Sequence, residues 1–238
     1  MYFTQIELNP VRRQTKRFLG EPETLHAAVS ALFPRSCEDV GRILWRVDSL
    51  GKGLFLYVVS EQKPDATSLI EQAGWSQVAP ARSVEYDSFL QSIENGQRYN
   101  FRLTANPTHT PWIQGKRGKP VSHVTERYQR QWFMQKCPLL GIQCHDALDD
   151  NATSEEYSES AENFLNNYFV IRERGKRVFY KKDHAGNRHQ IPVAYATYEG
   201  ALLVKDADKL RAALCAGVGR KKAYGYGLLT LAKIQLSS

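Results

Sequence analysis

The sequence is sparing in cysteine and in long apolar runs, and each shortage excludes a class. Four cysteines in 238 residues, Cys37, Cys137, Cys144 and Cys215, are irregularly spaced. A chain of this size builds a core without disulfide staples, so free thiols are expected. Cys137, Cys144 and His145 lack the second Cys or His pair of a structural zinc site, so no metal and no cofactor is expected. The longest apolar run, Leu54 to Val59, is strand-sized. A membrane span would need roughly 18 such residues, so no membrane partner is expected. No basic segment, apolar core and small-residue cleavage site follow Met1, and a cytoplasmic location is therefore expected. What the chain does have is 42% hydrophobic and 24% charged residues, a composition that excludes disorder, collagen and coiled coil.

Thirty-two Lys and Arg face 25 Asp and Glu, a formal charge of +7. The charges are segregated. His145 to Glu162 carries seven acidic residues and no Lys or Arg, in a Ser/Asn-rich stretch that reads as a solvated loop. Its Asp149-Asp150 pair has no rigid element to present it to Mg²⁺. Basic clusters recur at Arg12-Arg13 with Lys16-Arg17, at Lys116-Arg117 with Lys119, from Arg172 through Lys182, and at Arg220-Lys221-Lys222. Several adjoin glycine or proline, which predicts loops and hairpin tips where cations and free N–H groups meet phosphates. Nucleic acid is the expected partner.

The elements read as α+β. Tyr2 to Leu8 is a strand ending at Asn9-Pro10. A helix with Pro22 at its first position buries Leu25, Val29 and Leu32 and stops at Pro34. Arg42 to Asp48 and Gly53 to Ser60 are strands, Asp65 to Ala73 is a helix, and a strand is expected within Trp75 to Val84. Strand, helix, strand, strand, helix, strand is the ferredoxin-like order. It recurs with a strand over Arg98 to Ala105, and a helix capped by Ser122 and carrying Val124, Tyr128 and Trp132. A strand over Phe164 to Arg172, a long hairpin over Arg177 to Val204, a helix capped by Asp206 and a strand over Tyr226 to Leu236 complete it. Two tandem ferredoxin-like (RRM-like) domains are expected, over 1–90 and 91–238, with the boundary between Ala81 and Gly96.

His26 follows Leu25 by about 100° of helix rotation, at the border of the apolar stripe. Its imidazole is suited to proton transfer near neutral pH. His184 and His189 are placed at the tip of the basic hairpin. Gly217 to Leu229 is the strongest local signal: four glycines around Arg220-Lys221-Lys222, between a helix and a strand. Glycine lets the backbone approach a phosphate and the cations add charge beside it. Neither the Walker pattern nor the dinucleotide fingerprint fits its spacing. Tyr99 and Phe101 can stack on a base, but strand aromatics usually pack inside.

On these residues the sequence resembles the CRISPR repeat-processing endoribonucleases of the CasE type, the RNA-cutting subunit of type I-E Cascade complexes. Carrying the resemblance are Leu8-Asn9-Pro10, the Leu25-His26 helix to Leu32-Phe33-Pro34, and Phe101 to Pro107. Gly115-Lys116-Arg117, a Tyr198-Glu199-Gly200 turn and the Gly217 to Leu229 motif add to it. The resemblance implies tandem ferredoxin-like domains and metal-independent cleavage of precursor CRISPR RNA at the base of the repeat stem-loop, leaving 5′-hydroxyl and cyclic phosphate ends. It implies as partners the repeat stem-loop, the mature guide RNA and other Cascade subunits. His26 falls at the family's catalytic histidine and Lys222 at the lysine of its glycine-rich motif. Relatives often carry tyrosine where this chain has Glu23, one turn before His26, so either Glu23 orients His26 or raises its pKa, or Glu23 is inert and Tyr224 or another residue substitutes. The RNA contacts expected are Arg12, Arg13, Arg102, Lys116, Arg117, Lys119, Arg172, Arg174, Lys176, Arg177, Lys181, Lys182, Gly217, Gly219, Arg220 and Lys221. A non-catalytic RNA-binding subunit is the alternative reading.

Overall fold

A computed structural model describes residues 1–34, 41–51, 53–75, 81–113, 115–147, 167–182 and 188–234. Cys37, His184 and the acidic stretch from position 148 lie outside the described residues. So do the side chains of Ile113, Arg117, Lys181, Lys182 and Arg188. The first strand, β1 (Tyr2–Leu8), alternates and buries Thr4, Ile6 and Leu8, as a sheet covered on one face requires. Helices α1 (Arg13–Gly20) and α2 (Pro22–Ser30) follow. Then come β2 (Leu44–Leu50), β3 (Gly53–Ser60), α3 (Thr67–Ala73) and β4 (Arg82–Glu85). The sheet order is β2-β3-β1-β4 with every neighbouring pair antiparallel. That is the ferredoxin-like arrangement. Phe18, Leu25, Val29 and Leu69 cover Ile6, Leu8, Leu56 and Val58 on one face.

The second unit is entered through α4 (Asp87–Gln91). Its strands and helix are β5 (Arg98–Ala105), β6 (Thr108–His109), β7 (Trp112–Ile113), β8 (Lys116–Arg117), β9 (Val121–Ser122) and α5 (Glu126–Lys136). A 3-10 turn at Cys137–Leu140 leads to β10 (Ile142–Gln143) and β11 (His145–Asp146). The long strands β12 (Tyr168–Lys182) and β13 (Arg188–Val204), helix α6 (Ala207–Ala216), a 3-10 turn at Lys222–Tyr224 and β14 (Leu229–Lys233) complete it. The order is β11-β12-β13-β5-β14, with β10 also on β13. The four strands β12-β13-β5-β14 repeat the first unit's arrangement. Cys137 and Cys144 are buried free thiols and Cys215 is a half-buried one. No described helix is long and apolar enough to cross a membrane.

Several expectations are corrected. The first crossover holds two helices: α1 is short, buries only Thr15 and Phe18, and has just Phe18 and Leu19 as large apolar residues, too few for an apolar stripe to mark it. Arg13, Lys16 and Arg17 are therefore helical, and Arg172 to Lys182 run along a strand, instead of forming loop tips. Ser122 lies in β9, and α5 begins at Glu126 after Thr125. Its buried side chains are Gln129, Trp132 and Phe133, while Val124 and Tyr128 are exposed. Tyr198 to Gly200 sits inside β13, not in a turn. There Gly200 has φ 154, and a Cβ would strike the Tyr168 carbonyl. Asp206 does cap α6, accepting from the Lys209 N–H at 3.1 Å.

The two sheets share one core. Leu44 and Val59 of the first pack with Phe101, Leu103, Phe133, Tyr198 and Leu214 of the second. Tyr99 and Phe101 are both 4% exposed, so neither can stack on a base. A polar pin crosses the same junction. Buried Arg46 of β2 holds Asp48 through two hydrogen bonds of 2.8 and 2.7 Å. It also donates to the carbonyls of Arg102 (3.0 Å) and Leu228 (2.6 Å) and to Thr230 Oγ1 (2.9 Å).

Candidate functional site

Helix α2 starts with Pro22 at its N-terminal turn and Glu23 beside it, where a fixed φ and a negative charge suit the free N–H groups. Leu25 and Val29 anchor it in the core at 2% and 0% exposure. That orientation leaves Glu23 and His26, spaced i and i+3, one above the other on a half-buried flank. The His26 Nδ1 atom is withdrawn from solvent, so the ring is more sheltered than a helix-border position suggested.

The glycine-rich segment forms a closed loop against this helix. The Val218 N–H donates to the Gly227 carbonyl at 2.8 Å, and the Gly227 N–H to Thr104 at 2.7 Å. Between them the 222–224 turn packs on α2 and β2, bracketed by left-handed Lys221 (φ 63) and Gly225 (φ 81). Lys221 is the one non-glycine residue at positive φ among those described, a conformation that costs energy in a residue with a Cβ. Gly225 has a second constraint: a Cβ would lie 2.5 Å from the Trp45 ring. Gly225→Ala is therefore expected to destabilise the fold by about 1–3 kcal/mol through overpacking, measurable by urea denaturation.

Two electrostatic pairs form at this contact, Tyr224 with Glu23 and Lys222 with Arg42. Burial first, and the charge of Glu23 second, raise the Tyr224 phenol above its ordinary value, so it keeps its proton at neutral pH. Burial and the neighbouring Arg42 guanidinium lower the Lys222 ammonium. Lys222 Nζ donates to the Ala216 carbonyl, 2.7 Å away at the end of α6. This uses one of its three donors and turns it to the helix's negative end. Arg42 escaped the sequence reading because it looked like the start of a strand. Tyr224 was visible only as a substitute for the missing tyrosine.

The basic hairpin joins the same site. Phe179 of β12 packs on Tyr224 with ring centroids 4.7 Å apart, and Val193, Tyr195 and Tyr226 complete a small apolar cluster. Along β12, Arg174, Lys176, Val178 and Tyr180 are exposed on alternate positions. Arg177, on the other face, lies over the Tyr195 ring at 5.0 Å. Arg174 also pairs with Glu126 at 3.5 Å, and Arg172 is exposed. A gap between α2 and this strand is lined by Arg17, Glu23, Thr24, Ala27, Phe179 and Tyr180.

Other predicted contacts fall elsewhere. The Gly217 N–H is spent on the Ala213 carbonyl at 2.8 Å, so it cannot be aimed at a phosphate; Gly219, with φ 78, packs beside Trp132. Arg102 is 22% exposed between Glu199 (3.0 Å) and Asp48 (3.7 Å) and serves the junction of the sheets. Arg12 and Arg13 open α1, about 12 Å of helix from its α2 end, and Arg12 donates to the Glu71 carbonyl. Arg220 bridges to Asn106. Lys221 Nζ lies 5.7 Å from the Tyr224 ring centre. Lys116 and Lys119 are exposed on and beside the β7–β8 hairpin, and Arg117 lies in β8. Backbone at Lys181 and Lys182 belongs to the end of β12, and exposed His189 faces Lys181 from β13. Among the described residues no three His, Cys, Asp or Glu side chains gather as a metal site.

Comparison with known proteins adds relatives to this geometry. The family model described as CRISPR associated protein matches residues 1–233. The CRISPR-associated endoribonuclease Cse3 of Thermus thermophilus is 30% identical over 236 residues, covering 98% of this chain and all of that protein. A structure of CRISPR endoribonuclease Cse3 bound to 19 nt RNA matches at TM-score 0.72 and 26% identity, over 97% of this chain and 98% of that one. A structure of Thermus thermophilus Cse3 bound to an RNA representing a pre-cleavage complex matches at TM-score 0.69 and 26% identity, with the same coverage.

Proposed function

The chain belongs to the CRISPR-associated protein family, and from that premise we propose that it is an endoribonuclease cutting precursor CRISPR RNA at the base of the repeat stem-loop. The observation that carries this reading is the meeting of α2, bearing Glu23 and His26, with the Lys222–Tyr224 turn beside a strand of exposed cations. The similarity to endoribonuclease Cse3 along almost the whole chain supports it.

In this reading the ribose 2′-oxygen attacks the adjacent phosphorus while the bond from phosphorus to the 5′-oxygen breaks. One group removes the 2′ proton and another protonates the departing 5′-oxygen, giving a cyclic phosphate and a 5′-hydroxyl. His26 serves as one of the two. The protonated Tyr224 phenol, next to Glu23, is suited to donate to an oxygen in flight. Lys222 and Arg42 supply positive charge where the transition state gathers negative charge. No step in this scheme calls on a metal. The product stays on the protein through the β12–β13 hairpin, which grips A-form RNA by shape and phosphate.

The test is cleavage of a repeat RNA in excess EDTA with analysis of the new ends. Cutting to a cyclic phosphate and a 5′-hydroxyl supports the reading. Tight binding without cutting would favour a non-catalytic RNA-binding subunit, to which the replacement of the relatives' tyrosine by Glu23 points. Lys222→Ala is expected to weaken RNA binding and to slow cleavage at saturating protein; an unchanged rate at saturation would remove Lys222 from the catalytic set. Affinity is expected to fall about 10²-fold between 50 and 200 mM salt if about four phosphates are contacted. A filter-binding series at several salt concentrations measures that slope.

A further inference from the structure

The segment from Asn106 to His123 stands out from the second sheet as a braced arm, and its most prominent side chain has no role in the reading above. Trp112 is 83% exposed, more than any other large apolar side chain among the described residues. It opens β7 and pairs across the hairpin with Arg117, as Ile113 pairs with Lys116. An open groove of about 520 Å³ beside it is lined by Thr110, Pro111, Trp112, Gly115 and Lys116.

The arm is rigidly rooted. Buried Asn106 donates to Ser122 Oγ (3.0 Å) and to the Ala194 carbonyl (2.6 Å). The His123 N–H reaches the Pro107 carbonyl at 2.9 Å, and Gln129 holds the His123 carbonyl at 2.9 Å. Higher up, β6 pairs with β9, His109 stacks on His123 at 4.6 Å, and Gly118 packs directly on the Pro111 carbonyl. Asn106 also bridges to Arg220, so the root abuts the glycine-rich loop. Six residues separate Asn106 from Trp112, a reach of at most about 20 Å.

The chemistry of the arm selects the ligand. From Phe101 to Thr125 there is no Asp or Glu, whereas Lys116, Arg117 and Lys119 cluster at the hairpin. An exposed indole beside the exposed Lys116 and Lys119, on a fixed stalk, suits a planar base on a phosphate backbone. We infer that Trp112 is a base-stacking residue that holds an unpaired nucleotide flanking the stem of the bound RNA. The flank is favoured over the duplex because paired bases keep their faces inside the stack. It is favoured over the stem's apical loop because the arm is rooted beside the proposed cutting site. This inference rests on the proposed function for the place of the RNA, and its test involves no cutting.

Two RNAs separate the outcomes: a repeat stem-loop with single-stranded nucleotides on both sides, and the same stem without them. Both are 2′-deoxy at the stem–flank junction so that neither is cleaved. Trp112→Ala is expected to lose about 5- to 100-fold in affinity for the flanked RNA, the scale of one lost stacked base. Its affinity for the bare stem should stay within about two-fold, while Trp112→Phe retains most binding to the flanked RNA. The side chain is exposed, so the substitutions spare the core. No loss, or an equal loss for both RNAs, would overturn the inference. A 2-aminopurine placed along the flank should be quenched at one position by the wild type and not by Trp112→Ala; no quenched position would also overturn it. If the wild type bound but failed to cut natural RNA, the proposed function would fail while this binding comparison still stood.

Discussion

Replacing His26 with alanine is expected to slow cleavage by about 10²-fold or more, the scale of a lost proton-transfer group, with RNA affinity changed only a few-fold. The helix should survive the substitution. Its burial comes from Leu25 and Val29, and alanine favours helix more than histidine does. The cations proposed to meet phosphate lie on other elements: Arg42 before β2, Lys222 in the turn, and Arg174 and Lys176 on β12. Binding and chemistry should therefore separate in single-turnover assays at saturating protein. A parallel loss of binding and cutting would instead make His26 a structural residue. Glu23→Gln sharpens the assignment: if Glu23 acts through Tyr224, the variant should shift the pH profile of the cutting rate and leave affinity unchanged.

Arg46→Ala is expected to cost about 3–5 kcal/mol, because it strips buried Asp48 of both close hydrogen bonds and leaves it only the longer contact to Arg102 at 3.7 Å. Arg46 and Asp48 have 3% and 4% side-chain exposure, so water cannot take over the lost bonds. Three further acceptors across the junction would also lose their donor. For a chain of this size the midpoint should drop by roughly 6–20 °C. Differential scanning fluorimetry checks this, and Arg46→Met with Asp48→Leu should recover much of the loss, since an apolar pair of similar volume is tolerated at such sites. Trp45, which braces Gly225, sits beside Arg46 in β2. Loosening this pin should thus misplace the 222–224 turn against α2 and lower activity below the unfolding temperature.

How much of this was legible in the sequence depended on the range of the interaction. Gly53–Ser60, marked by its unbroken apolar run, and Arg98–Ala105, marked by alternating apolar residues, have the bounds the sequence indicates, and Asp206 caps its helix as a local side-chain-to-backbone bond should. Local chemistry also located Leu25, Val29 and hence the flank bearing His26. Helix α1 escapes a sequence reading because only Phe18 and Leu19 of its eight residues are large apolar ones, too few to mark a helix by an apolar stripe. Tyr198 to Gly200 reads as a turn by its glycine, yet that glycine answers to Tyr168 on the neighbouring strand, a contact invisible in sequence. Arg102 shows the same limit. A cation in a basic chain looks like an RNA contact until folding sets it between Glu199 and Asp48. The assembly of Glu23, Tyr224, Lys222 and Arg42 is likewise tertiary, since about 200 residues separate α2 from the turn that meets it.

Residue type and position carry different parts of the proposed mechanism. Left-handed Lys221 and Gly225 fix the turn that presents Lys222 and Tyr224, and the Phe179 contact ties that turn to the cationic strand. In the proposed function, an RNA held by β12 would thereby be brought toward α2 without a separate docking step, the positioning from which proximity effects in catalysis arise.

The most direct measurement compares cleavage of an all-ribose repeat RNA with the same RNA carrying a single 2′-deoxy nucleotide immediately 5′ of the cut. The account predicts rapid cutting of the first and none of the second, with equal binding of both. Cutting of the deoxy-substituted RNA at the same bond, or of neither RNA despite tight binding, would contradict it.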